Sequence, residues 1–283
     1  FIGVGSRGRS HVAQALYRSD VLIPAICDID PDAISRTNAL LEKAGRPRPE
    51  AYTNGPEAFR DMLKRDDLDG VVIATPWEWH TPMAVATMKA GKYAGLEVSA
   101  TVTLQESWDL VNTYEQTGAP CMLLENVCYR RDVLAILNMV RQGLFGELLY
   151  AHCGYQHDLR DIKFNDGKNY AGGGVEFGPK GYAEARWRTQ HSVERNGDLY
   201  PTHGLGPVTH WLNINRGNQL AFVESIKQQT QPPIDVYDAA VWSAISPLSE
   251  ESIARGSQAV AIPDFTRGKW KTNKPIFGLN DSF

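Results

Sequence analysis

Three glycines at the very start of the chain constrain its fold more than any other feature. Gly3-Val4-Gly5-Ser6-Arg7-Gly8 fits the spacing GxGxxG, with a strand end (Phe1-Ile2) before it and a helix (about residues 7 to 18) after it. In that context each glycine has a physical task. The first permits a tight turn, the second lets backbone approach a pyrophosphate, and the third lets helix pack closely on strand. The helix N-terminus then stabilises the phosphates. Twenty residues after Gly8, at the end of the next strand, stands Asp28. A carboxylate there accepts hydrogen bonds from the adenosine ribose hydroxyls and repels a 2′-phosphate, which favours NAD over NADP. The rival, a ligand-free glycine turn beside an ordinary surface aspartate, requires strand, glycines, helix and aspartate to coincide. Gly3, Gly5, Ser6, Arg7, Gly8 and Asp28 are therefore the first cofactor-binding candidates.

A chain of 283 residues is comfortable for two domains, and with 42% hydrophobic and 22% charged residues it can bury a real core. A formal charge of -4 leaves no basic footprint for nucleic acid. No apolar run approaches the roughly 20 residues needed to span a bilayer. Cys27, Cys121, Cys128 and Cys153 are too few and too irregular for a disulfide framework or a zinc knuckle. His152, Cys153 and His157 are the one grouping with ligand chemistry, but strand periodicity aims successive side chains at opposite faces, and no metal is expected. The chain opens without an initiator Met and too close to the glycine motif for a full strand. The N-terminus is thus expected to be incomplete, with any signal peptide ahead of it.

The first 125 residues alternate strand and helix. Strands are expected at 21–28, 70–75, 93–98 and 120–124, and helices at 30–44, 56–65, 82–90 and 105–117. This pattern predicts an α/β fold with a doubly wound parallel sheet covered on both faces. Residues 1–125 are read as the NAD-binding Rossmann domain and 126–283 as a substrate-binding α+β domain with a C-terminal return segment. In the second part, residues 130–142 read as helix and 146–156 alternate like a strand. Residues 158–200 are rich in Gly, Arg, Asn and Tyr, with Gly172-Gly173-Gly174 in the middle. A helix begins near His203, a Gln- and Pro-rich seam covers 217–233, and another helix runs from about Val236 to Ile245.

Side chains at the C-terminal ends of parallel strands face the ligand crevice. Thr75, Trp77 and His80 follow the third strand, Glu97 ends the next, and Glu125 with Asn126 ends the last. Glu97 is placed to reach the nicotinamide ribose. His80 is balanced between a cofactor contact and a helix-capping role.

Taken together, the glycine motif, Asp28, Ala74-Thr75-Pro76-Trp77-Glu78-Trp79-His80 and the run from Ala90 to Val98 resemble the glucose–fructose oxidoreductase and inositol dehydrogenase superfamily. That resemblance implies an N-terminal Rossmann domain and a C-terminal open antiparallel sheet. Most members carry Glu-Lys-Pro at the strand end, with a lysine that assists hydride transfer. This chain has Glu97-Val98-Ser99, so a plain dehydrogenase reading loses its lysine. Five further stretches resemble glycoside hydrolase family 109: Glu97-Val98-Ser99-Ala100, Glu125 to Tyr129, Gly154-Tyr155-Gln156-His157, Asn196 to Gly204, and Ile262 to Gly268. The implied activity is hydrolysis of terminal alpha-N-acetylgalactosamine with a tightly held NAD. Family members carry over a hundred residues of sheet between stretches like Asn215-Arg216-Gly217 and Asp235 to Ala240. Here some fifteen residues bridge them, so the sheet domain is either shortened or incompletely represented.

Such a route oxidises the hydroxyl on sugar carbon 3, which acidifies the proton on carbon 2. Elimination expels the aglycone, water adds back, and the ketone is reduced again. Bases are needed near both carbons. His203, in a Tyr-Pro-Thr-His-Gly turn, is the first proton-transfer candidate, since an imidazole works near neutrality. Tyr155 is the candidate base for carbon 2, and Tyr200 and Glu125 complete the catalytic set. Tyr155, Arg188, Tyr200 and His203 are the substrate-binding candidates, with Tyr182, Arg186, Trp187, Trp77 and Trp79 as possible sugar-facing groups. A dehydrogenase consuming NAD is the alternative. The partners expected are a glycan or small sugar, and another copy of the chain through an exposed sheet face. The location stays open between periplasmic or secreted placement, for which twin-arginine export of a folded, NAD-loaded protein makes physical sense, and the cytoplasm.

Overall fold

In a computed structural model, residues 1–168, 175–212, 214 and 234–273 are described. The triple glycine at 172–174 and the seam at 217–233 lie outside these residues. Among the described residues five strands, all in parallel pairings, build the sheet: β1 (Ala25–Cys27), β2 (Glu50–Tyr52), β3 (Gly70–Ile73), β4 (Tyr93–Leu96) and β5 (Cys121–Leu123). β1 pairs with β2, and β3, β4 and β5 pair in that order. The extended start of the chain joins the two halves. Ile2 bridges both Cys27 and Ile73, with its amide donating to Val72 O at 2.8 Å and Gly3 N donating to Cys27 O at 2.8 Å. The glycine turn therefore leaves from the centre of the sheet, where a doubly wound fold reverses direction and opens its crevice.

The local chemistry explains the helix boundaries. α1 (Ser6–Ala15) starts inside the glycine motif. α2 (Pro31–Lys43) is capped by Asp30, whose side chain accepts from Asp32 N, with Pro31 at the tolerated first position. A short α3 (Phe59–Met62) precedes β3. α4 (Trp77–Lys89) starts five residues before Pro82, because Pro76 supplies the extended entry to the helix and Pro82 is carried within it. α5 (Leu104–Thr117) has a reciprocal capping box between Thr103 and Glu106 and ends on Gly118 in the left-handed region.

After β5, Glu125 caps a 3-10 turn (Asn126–Tyr129), and α6 (Arg131–Arg141) follows. Among the described residues no strand follows Leu123. The run 146–156, which the alternating pattern places in an antiparallel sheet, is irregular because no neighbouring strand takes up its backbone groups. The described residues of 158–200 hold short helices, α7 (Arg160–Lys163) and α8 (Arg188–Glu194), and 3-10 turns. α9 (Thr202–Trp211) carries His203 in its first turn. α10 (Val236–Ala254) is opened by an Asp235–Asp238 capping box and continues nine residues past the expected Ile245. Its first half is mostly apolar and packs on α5 and α9, burying Val236, Ala240, Trp242 and Ala244.

Candidate functional site

The glycine turn has the shape its spacing demands. Gly3 sits at φ +77°, and a Cβ there would lie 2.6 Å from the Ala74 carbonyl oxygen. A Cβ on Gly8 would fall 1.8 Å from Gly3 O, so helix and turn touch through bare backbone. Gly5 differs, because a Cβ there meets nothing within 4 Å. Its α-carbon faces open space beside the first turn of α1, which leaves room for a phosphate chain to approach amide groups. Ser6 is the exposed first residue of α1.

Asp28 ends β1 half-buried. Its Oδ2 accepts from Val4 N at 2.7 Å and its Oδ1 from Asp30 N at 2.9 Å. Burial pushes this carboxyl above the usual range, against the pull of those amides. Each oxygen keeps a lone pair for a ribose hydroxyl. Turn, helix start and acid together fit a dinucleotide.

Across the crevice, Glu97 is 4% exposed at the end of β4. Its Oε1 accepts from Arg7 Nε at 2.6 Å and faces His11 Nε2 at 2.6 Å, while Oε2 accepts from Val98 N at 3.1 Å. Burial would raise its pKa, but the His11 hydrogen bond and the Arg7 charge outweigh that and hold it below the ordinary value. Arg7 also donates to Asn126 Oδ1 at 3.1 Å, so the glycine turn is tied to the ends of both β4 and β5. His11 was not among the residues expected here. Its signal was the spacing Arg7–His11, one turn apart on α1.

The placement of the other crevice candidates is mixed. Thr75 is half-buried beside Gly3, its methyl 2.9 Å from where a Gly3 Cβ would stand. His80, balanced in the sequence between a cofactor contact and a helix-capping role, lies against backbone. It is 1% exposed, and its ring nitrogens face backbone carbonyls, Ser99 O at 2.6 Å and Thr75 O at 2.8 Å, to one of which the neutral ring donates. It holds two loops together, and burial lowers its pKa. Trp77 is buried in an aromatic cluster with Trp187 (centroids 5.3 Å), His191 (5.0 Å) and Tyr200 (5.8 Å). Trp79 packs against the main core.

The proton-transfer candidates come together from three separate segments. Glu125, fully buried after β5, accepts from Val127 N at 3.0 Å through Oε1, and the same oxygen lies 2.5 Å from His203 Nδ1. A carboxylate oxygen that already accepts an amide favours a proton on Nδ1, leaving Nε2 to accept one. Tyr155 and Tyr200 set their rings edge-on to His203, at 4.5 Å and 4.9 Å. Tyr155 is 43% exposed. Tyr200 is largely buried, and desolvation pushes its phenol well above the ordinary value despite the opposing charge of Arg188. The Arg188 guanidinium lies 4.8 Å from the Tyr200 ring centroid and 5.3 Å from that of Trp77, and donates to Glu184 at 2.6 Å. Trp187 and His191 join this cluster, and His191 reaches Glu78 at 3.5 Å. Arg186 and Tyr182 do not belong to it. Arg186 Nε donates to Gly181 O, and the Tyr182 hydroxyl meets Arg36 of α2.

The fold and crevice define a Rossmann protein that binds NAD and places an imidazole–carboxylate pair beside two phenols. Residues 1–124 match the oxidoreductase family with an NAD-binding Rossmann fold. Residues 129–223 and 219–272 match the glycosyl hydrolase 109 C-terminal domain in two pieces that meet at the seam. An alpha-N-acetylgalactosaminidase from Tannerella forsythia is 39% identical over 412 aligned positions, covering 99% of this chain and 88% of the relative. A glycosyl hydrolase family 109 protein from Stenotrophomonas maltophilia is 37% identical, covering 100% of this chain and 92% of the relative. One from Shewanella pealeana is 46% identical over 227 residues, 80% of this chain and 46% of its own length. Because 412 positions are aligned against 283 residues, the relative holds a long internal stretch with no counterpart here.

Among solved structures, a putative myo-inositol dehydrogenase from Sinorhizobium meliloti matches with TM-score 0.44 and 23% identity, over 52% of this chain and 41% of that one. A scyllo-inositol dehydrogenase from Lactobacillus casei with bound NAD(H) and scyllo-inositol matches with TM-score 0.44 and 18% identity, over the same shares. The chain belongs to glycosyl hydrolase family 109, and is a glycoside hydrolase with an NAD-binding domain.

Proposed function

We propose that this chain hydrolyses terminal alpha-N-acetylgalactosaminides with retention, through NAD-dependent oxidation at sugar carbon 3, elimination, water addition and re-reduction. The observation that carries the reading is the Glu125–His203 pair flanked by Tyr155 and Tyr200 at the C-terminal edge of the parallel sheet. The name of the Tannerella forsythia relative supports the sugar. The turn from Gly3 to Gly8, Asp28, Glu97 and Asn126 would hold NAD, which would supply the reversible oxidation at carbon 3.

His203 Nε2 accepts the proton of the carbon 3 hydroxyl, and Glu125 stabilises the resulting imidazolium through Nδ1. Tyr155, the more exposed phenol, is assigned the carbon 2 proton. Tyr200 stays protonated under its burial and donates a hydrogen bond to a substrate oxygen. Arg188, stacked on Tyr200, presents a cation to the sugar. Val98, 4% exposed, stands where a dehydrogenase of the superfamily would carry lysine. The reading divides the chain after residue 125. Exposed Leu144, Phe145, Leu149 and Tyr150 support pairing with a second copy, and the net charge of -4 argues against nucleic acid as a partner.

The test is hydrolysis of para-nitrophenyl alpha-N-acetylgalactosaminide by purified protein in deuterated water, without added cofactor. Nitrophenol release with deuterium at carbon 2 of the sugar is expected. Nitrophenol release without deuterium would point to direct displacement or a shielded base. Failure to release nitrophenol, with NADH formed stoichiometrically on a sugar panel, would mark a dehydrogenase instead.

A further inference from the structure

We propose that His11 is a positioning residue for the cofactor site, fixing Glu97 so that Oε2 presents its spare lone pair to the nicotinamide ribose hydroxyls. The proposal rests on the reading that this chain binds NAD with Asp28 on the adenosine side and Glu97 on the other. Arg7 and His11 lie one helical turn apart on the same face of α1, and both point at one oxygen, Oε1 of Glu97, at 2.6 Å. That oxygen is filled by two donors. Oε2 accepts only the Val98 amide, at 3.1 Å, and is the oxygen with capacity left.

The two donors are not equivalent. Arg7 has a long, flexible side chain that is 41% exposed and divides its donors between Glu97 and Asn126. His11 is shorter and stiffer, and its side chain is 24% exposed. It therefore sets the carboxylate's orientation, while Arg7 supplies most of the charge. Without His11, Arg7 can draw the carboxylate around its own axis, and Oε2 loses its fixed direction. The adenosine side does not depend on this contact. Asp28 is held by the Val4 and Asp30 amides at the end of a different strand.

The experiment compares the full chain with its His11→Leu and His11→Gln variants, after removal of bound nucleotide. Calorimetric affinities for NAD and for ADP are measured, with a thermal melt of each protein. ADP carries the adenosine and both phosphates but no nicotinamide ribose. The expected result is NAD affinity lowered about tenfold in His11→Leu, on the order of one lost hydrogen bond to a charged group. ADP affinity should stay within about twofold. Glutamine, whose amide can still donate to Oε1, should recover most of the NAD affinity. A parallel loss for NAD and ADP would make His11 a general structural residue and overturn the proposal. Unchanged NAD affinity in His11→Leu would also overturn it. If the unmodified chain binds ADP and NAD equally well, Glu97 does not meet the ribose and the proposal falls while the Rossmann assignment stands. If it binds neither, the cofactor reading itself fails.

Discussion

Glu125 Oε1 lies 2.5 Å from His203 Nδ1, and no other described side chain approaches that carboxylate closely enough to share it. The acid is fully buried and the imidazole nearly so, so the pair interacts in a low-dielectric setting where orientation and charge both count. Glu125→Gln keeps the shape but removes the charge that steadies a protonated His203. The expected result is a loss of kcat of roughly 100-fold or more with little change in KM. Steady-state kinetics beside a thermal melt will separate this from unfolding.

Gly5 and Gly8 should respond to alanine in opposite ways. The Gly8→Ala methyl would collide with Gly3 O, so the variant should be destabilised by several kcal/mol, read as a clear drop in Tm. Gly5→Ala meets no protein atom, so its melt should match the parent while NAD affinity falls by about tenfold or more. A Gly5→Ala variant with unchanged NAD affinity would show that the phosphates do not pass that turn.

His210 makes stability depend on pH. Buried on α9, with its ring 5.5 Å from that of Trp242, it has a pKa depressed from 6.5 to about 3 by burial first and by the charge of Arg141 second. The unfolded chain takes up a proton near pH 6.5 that the folded chain refuses until about pH 3. This contribution to stability is therefore complete above pH 6.5 and lost as pH falls through that window. The slope is at most about 1.4 kcal/mol per pH unit for one proton. Melts between pH 7 and pH 4 should show the decline, and His210→Phe should flatten it.

Arg188→Lys should raise KM by roughly tenfold with a smaller effect on kcat. Lysine keeps the charge but loses the planar group that lies over Tyr200 and Trp77 and the fork that reaches Glu184. A parent-like KM would mean that the stack serves the fold alone.

What could be read from the sequence was whatever rests on local chemistry. The glycine turn, Asp28 and the alternation of the first 125 residues depend on spacing, turn residues and caps such as Asp30 and Thr103. β2 was missed because Glu50–Tyr52 is a short edge strand with little apolar patterning. The juxtaposition of Glu125, Tyr155, Tyr200 and His203 could be expected only from resemblance, since these residues are 78 positions apart at the widest. His80 was open between two roles in the sequence, because only the fold brings the carbonyls of Thr75 and Ser99 to its ring.

α10 and the segment after it lie against the front half of the molecule. Ile234 O accepts from Leu123 N at 3.2 Å, and Ser243 Oγ accepts from Ala100 N at 3.1 Å. Phe265, fully buried, sits 4.7 Å from the Trp108 ring on α5. The tail of the chain is thus the outer wall of the cofactor unit, and the division in sequence is not a division in space. A recombination that exchanged the first 125 residues between relatives would have to carry matching residues from α10 and the 264–271 strap. The two stretches are held to one another by packing, so a change at one side of this seam calls for a matching change at the other.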